Sequence, residues 1–131
     1  MTGPREFARL PHPHAKGDAG ESAAAQELVR RGYRVVARNV RTHAGEIDLV
    51  ASDGPVLCFV EVKARASETF GPAIAAIGPA KQRRLARAAS LYLVSHPWSG
   101  PCRFDVLGMD AMADGWRFTL VKNAFEVPAT S

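Results

Sequence analysis

The sequence predicts one mixed α/β domain, with a central sheet of about five strands flanked by helices. Apolar residues recur at helical spacing in two separate stretches. Short alternating stretches rich in valine, isoleucine and phenylalanine lie between and after them. Their order, helix, three strands, helix, two strands, gives a mixed sheet covered by helices. A chain of 131 residues is long enough to bury one core. With 47% hydrophobic and 23% charged residues, wholesale disorder is excluded.

Residues 1–15 hold three prolines and no periodicity, and read as a flexible N-terminal tail. His12 and His14 flank Pro13 there and are read as incidental. The folded domain is expected over 16–127, followed by a short C-terminal tail, 128–131. Ala24, Ala25, Leu28 and Val29 set the first helix from about Asp18 to Arg31, with Glu27 pointing outward and Gly32 ending it. Tyr33–Asn39 is the first strand, Thr42–Gly45 a turn and Glu46–Ser52 the second strand. Asp53-Gly54-Pro55 reads as a tight hairpin turn into a third strand, Val56–Ala64. A loop is expected at Ser67–Pro72. Pro79 opens a helix to about Ser95, with Leu85, Ala88, Ala89, Tyr92 and Leu93 as its apolar stripe. Cys102–Met109 and Trp116–Val121 are the last strands, turning at Asp114-Gly115.

No apolar run approaches the roughly 18 residues that span a bilayer. The N-terminal stretch also lacks the apolar segment of a secretory signal. The expected location is therefore the cytoplasm, with no membrane partner. Cys58 and Cys102 belong to no CxxC pair and read as reduced cysteines, although spacing alone leaves a disulfide open. Net charge is +4 with a pI near 9.5. The basic residues cluster: Arg30, Arg31, Arg34, Arg38 and Arg41 fall in one acid-free stretch, and Lys81, Arg83, Arg84 and Arg87 in another. Such clusters suit a phosphate backbone, or simply line solvated helix faces.

Alternation puts Glu61 and Lys63 on one face of the third strand, opposite Cys58, Val60 and Val62. Glu46 and Asp48 share a face of the second. If the hairpin pairs these strands, Asp48 approaches Glu61, and charged groups converge on apolar strands where an uncompensated charge is costly. A hard divalent cation, Mg²⁺ or Mn²⁺, resolves that cost, because it takes oxygen ligands and needs only one or two carboxylates. The Val62 backbone carbonyl would supply another oxygen, and Lys63 would orient or deprotonate a water. The plainer alternative is a Lys63–Glu61 ion pair on a solvated face. Glu21 lies four residues before Ala25, on the core-facing side of the first helix. It serves either the metal or a capping box with Asp18 as N-cap. Lys81, one turn ahead of Leu85, is placed to reach a phosphate. Arg65 continues the Lys63 face toward solvent, Arg103 and Asp105 read as a salt bridge, and His43 as a surface histidine.

Several segments, taken together, resemble the YraN family. They are Lys16-Gly17-Asp18-Ala19-Gly20-Glu21, Gly45-Glu46-Ile47-Asp48-Leu49-Val50 and Phe59-Val60-Glu61-Val62-Lys63-Ala64-Arg65. Lys81-Gln82-Arg83-Arg84-Leu85, Arg103-Phe104-Asp105-Val106 and Asn123-Ala124-Phe125 complete the set. That family is similar to Holliday-junction resolvases and to the restriction-endonuclease-like PD-(D/E)xK superfamily. The resemblance implies a restriction-endonuclease-like sheet, with Asp48, Glu61 and Lys63 as the core triad and Glu21 as a helix-borne acid. It also implies metal-dependent cleavage of DNA rather than RNA, branched DNA included, and a homodimer. Arg30, Arg31, Arg65, Lys81, Arg83 and Arg84 are the candidate nucleic-acid contacts. The rival functions are a nucleic-acid-binding module that does not cut, and an adaptor in DNA repair, recombination or uptake.

Overall fold

The computed structural model describes residues 18–65 and 77–126. The expected tails at 1–15 and 128–131, the loop at Ser67–Pro72 and the side chain of Asp18 lie outside the described residues. Seven elements follow in order: α1 (Asp18–Arg30), β1 (Arg34–Thr42), β2 (Gly45–Asp53), β3 (Val56–Arg65), α2 (Pro79–Ser95), β4 (Cys102–Met112) and β5 (Gly115–Val121). The strands form one sheet in the order β1-β2-β3-β4-β5. β3 and β4 run parallel, and the other neighbours are antiparallel. This is the expected restriction-endonuclease-like α/β architecture, a mixed five-stranded sheet with helices. Among the described residues no helix is long and apolar enough to cross a membrane.

Local chemistry sets the boundaries. Gly32, at φ +94°, ends α1. Its N–H reaches the Val29 carbonyl at 3.0 Å and the Tyr33 N–H reaches Leu28 at 2.9 Å, so the last turn closes as a Schellman motif. β2 and β3 meet through the two residues Gly54 and Pro55, with Gly54 at φ +59°. Pro79 occupies the first turn of α2, where its missing N–H costs nothing. The β4–β5 turn falls at Ala113-Asp114, one residue earlier than expected, because Met112 pairs with Gly115.

The sheet is covered on both faces. Ala24, Ala25 and Leu28 of α1 pack on Leu49, Ala51, Cys58, Val60, Val62, Leu107 and Met109. On the other face Ala88, Ala89 and Tyr92 of α2 pack on Ile47, Val50, Leu57 and Phe59, and Leu85 packs on Val106. Cys58 and Cys102 are both free. Burial pushes the Cys58 thiol up to about 12, so it behaves as a small core hydrophobe.

Two expectations for α1 are corrected. Glu27, expected to point outward, is only 4% exposed, and Val29, expected in the core, is 58% exposed. Residue 27 falls one turn after Ala24, so the buried stripe drifts toward it and away from 29. The Glu27 carboxylate is tolerated there because Arg30 and Arg31 fold over it at 2.9 and 2.7 Å. Burial would raise its pKa, but the hydrogen bonds from Arg31 and Arg30 outweigh this and hold it below the usual value.

Candidate active site

The site begins at an irregularity in β1 and β2. Val36 is an extra residue in β1, where the register shifts between Val35 and Ala37. Three residues on, Asn39 adopts φ +54°, a left-handed conformation that asparagine tolerates better than most residues. It falls between the pairs Arg38–Leu49 and Val40–Ile47, and so opposite Asp48. In β2 the alternation breaks at the same point. Ile47 and Val50 pack under α2, whereas Leu49 and Ala51 pack under α1. The β2–β3 pairing ends at Leu49–Val60, one residue short of Asp48.

Where β2 leaves β3, the Asp48 side chain takes over from the backbone. The Val62 N–H donates to Asp48 Oδ2 at 2.8 Å. This fixes the carboxylate against the Glu61–Val62 peptide. Glu61 lies on the α2 face and is 4% exposed. Its Oε2 sits 3.2 Å from Nζ of Lys81, in the first turns of α2. The plain Glu61–Lys63 ion pair is therefore not what forms. Lys63, half-buried two residues beyond Glu61, has no hydrogen-bond or ion-pair partner among the described residues. Its register partner in β4 is Gly108, which puts no side chain beside it.

The next register pair closes this face. Arg65 lies opposite Asp110, and its Nε donates to Asp110 Oδ1 at 2.8 Å. Asp110 is 1% exposed. Arg65, expected to face solvent, is thus drawn back onto the sheet with 17% of its side chain exposed. Asp110 was missed because β4 was expected to stop at Met109. The signal was its parity with Val106 and Gly108 on the face that bears Lys63.

Glu21 lies on α1 with Arg38 Nε 3.6 Å from its carboxylate, and Arg38, the register partner of Leu49, also donates to Ser22 Oγ at 2.9 Å. Among the described residues no group of three or more His, Cys, Asp or Glu side chains could hold a metal ion. A cation here would rest on Asp48 and Glu61, with a peptide oxygen such as that of Val62. All of these donors are hard oxygens, the kind that Mg²⁺ or Mn²⁺ takes.

The basic clusters divide between the two faces. Arg30 and Arg31 extend from the α1 side and are tied to Glu27, whereas Lys81, Arg83 and Arg84 belong to α2. Lys81 of the α2 cluster contacts Glu61 directly.

Residues 20–109 match the sequence model described as Uncharacterised protein family UPF0102. The chain belongs to this family. A UPF0102 protein of Symbiobacterium thermophilum is 55% identical over 113 residues, covering 83% of this chain and 94% of that protein. A UPF0102 protein of Janthinobacterium is 46% identical over 110 residues, covering 84% and 86%. A UPF0102 protein of Ralstonia nicotianae is 44% identical over 134 residues, covering 98% of this chain and all of that protein. The UPF0102 match spans Asp48, Glu61, Lys63 and Lys81 together and ends one residue before Asp110.

Proposed function

We propose that this UPF0102 protein is a divalent-metal-dependent endonuclease that hydrolyses phosphodiester bonds in DNA, including branched DNA. The observation that carries the reading is the Asp48 carboxylate seated on the Glu61–Val62 peptide, with Lys63, which has no ion-pair partner among the described residues, one residue further on. Asp48 and Glu61 would hold Mg²⁺ or Mn²⁺. When bound, the cation supplies Lewis-acid polarisation of the phosphate. Lys81 stands 3.2 Å from the buried Glu61 carboxylate and offsets its charge. Lys63, whose register partner is Gly108, orients the attacking water or takes a proton from it. Arg83 and Arg84, both exposed, neutralise the backbone phosphates on the α2 face.

One observation favours a second reading, a module that binds DNA without cutting it. Lys81 already balances the Glu61 charge, so the folded state does not depend on a cation there. A panel of duplex, single-stranded, flap and four-way DNA, incubated with Mg²⁺ or Mn²⁺, tests the two. Hydrolysis of at least one substrate, stopped by a chelator, is the expected result. Salt-dependent binding with no product from any of the four would move the protein to the second reading.

A further inference from the structure

A groove of about 470 Å³ opens at the far end of α2 from Lys81, between that helix and the β1–β2 turn. Its wall includes Val40, Arg41, Leu91, Tyr92, Val94 and His96, and none of its described lining residues is acidic. The His96 ring lies flat on Tyr92, with centroids 4.2 Å apart and planes 9° apart. Tyr92 is buried, whereas His96 is exposed. The groove thus presents a planar, π-bearing platform bordered by two aliphatic side chains that the fold leaves in solvent, Leu91 at 42% and Val94 at 79% exposed.

A charged track leads to it. Arg84, Arg87, Leu91 and Val94 recur at spacings of three and four residues, so they line one stripe of α2. The two arginines are exposed, and the helix contains no acidic residue. At 1.5 Å per residue the stripe runs about 15 Å, the span of a few nucleotides. It starts beside the Lys81–Glu61 pair and ends at the groove.

Resting on the DNA reading, the geometry points to the groove as a pocket for an unpaired nucleobase, on a strand whose phosphates follow Arg84 and Arg87 away from the Asp48–Glu61 site. The cationic stripe and acid-free wall match the phosphates, and the flat Tyr92–His96 stack with its aliphatic border matches a base. A base offers its face to such a platform only when it is outside a duplex, so single-stranded or frayed DNA is the form that fits.

Fluorescence anisotropy with labelled oligothymidine and with a duplex of equal length, in chelator so that nothing is cut, tests this. The wild-type protein is expected to bind the single strand more tightly. Val94→Asp, at a position already in solvent, is expected to weaken single-strand binding roughly tenfold, the scale of one lost base stack, with duplex binding nearly unchanged. Arg83→Ala/Arg84→Ala is expected to weaken both. If duplex binding is retained but Val94→Asp leaves the single-strand affinity as it was, the pocket is overturned and the DNA reading stands. If neither DNA form binds even at low salt, the DNA reading itself fails. If Val94→Asp instead changes the sedimentation of the free protein, the groove belongs to a second copy of the chain, and the nucleobase pocket is overturned.

Discussion

Lys63→Ala is expected to lower the single-turnover rate of DNA cleavage by about 10²–10⁴-fold, the range for loss of a positioned proton-transfer group. DNA affinity should change little, because binding is spread over several exposed arginines and Lys63 is half-buried. The fold should hold as well, since Lys63 has no ion pair to lose among the described residues. Lys63→Arg separates charge from proton chemistry. A guanidinium keeps the charge but does not give up its proton, so the arginine variant is expected to remain slow. Substantial recovery with arginine would reduce Lys63 to an electrostatic contact. An equal fall in cleavage and in affinity would make it a binding residue.

The largest stability effect is expected at Asp105, which is 0% exposed. It accepts hydrogen bonds from Tyr33 Oη at 2.7 Å, Arg103 Nε at 2.8 Å and the Asn123 N–H at 2.9 Å. Arg103 is also tied to Asp53 at 2.9 Å. The cluster joins the end of α1, the β2–β3 hairpin, β4 and the residue after β5. Removing the carboxylate leaves the buried Tyr33 hydroxyl and the Asn123 N–H without their acceptor and takes from Arg103 its buried partner. Asp105→Ala should therefore cost about 3–5 kcal/mol, as when one partner of a buried pair is removed. Urea unfolding measures it. A cost under about 1 kcal/mol, the scale of an exposed ion pair, would show the cluster to be dispensable.

The same carboxylate sets an acid limit. Burial raises the Asp105 pKa, but the bonds from Arg103, Tyr33 and the Asn123 N–H together outweigh it and bring it below the usual carboxylate value. The unfolded chain then binds the proton first. Stability from Asp105 is complete above about pH 5 and is lost as pH falls through and below about 4. Glu27 and Asp53 act in the same direction, since both are also held low by neighbouring basic groups. Asp105→Asn should flatten the wild-type loss of stability in that acid range.

Much of the fold was legible because local chemistry agreed with tertiary packing. Gly32, Gly54 and Pro79 each mark a boundary that the backbone needs there, and the alternation from Leu57 to Lys63 sorted that strand's two faces correctly. The misses arose where a contact distant in sequence decided the outcome. Asn39 reads as the end of a strand, yet β1 continues through it with a left-handed residue opposite Asp48. Glu27 reads as solvent-facing until Arg30 and Arg31 close over it. Strand β4 runs on past Met109 because β5 returns beside it, and this brings Asp110 against Arg65.

The candidate site divides the same way. Residue type and parity brought out Asp48, Glu61 and Lys63. They did not reveal that Asp48 would bind the Val62 N–H, or that Lys81, from a helix 18 residues further along, would take Glu61 as its partner. Glu21 shares a face with the core of α1, and the strand beneath it supplies Arg38. Sequence spacing carries no information about that neighbour.

The claim that Asp48 and Glu61 hold a divalent cation is tested most directly by isothermal titration of Mn²⁺ into the wild-type protein and Asp48→Ala, each with a non-hydrolysable DNA oligomer whose phosphate oxygens complete the metal shell. The wild type is expected to bind the ion more tightly with the oligomer than without it, and Asp48→Ala to lose that binding while still binding DNA. Equal Mn²⁺ uptake by the two proteins would contradict the assignment.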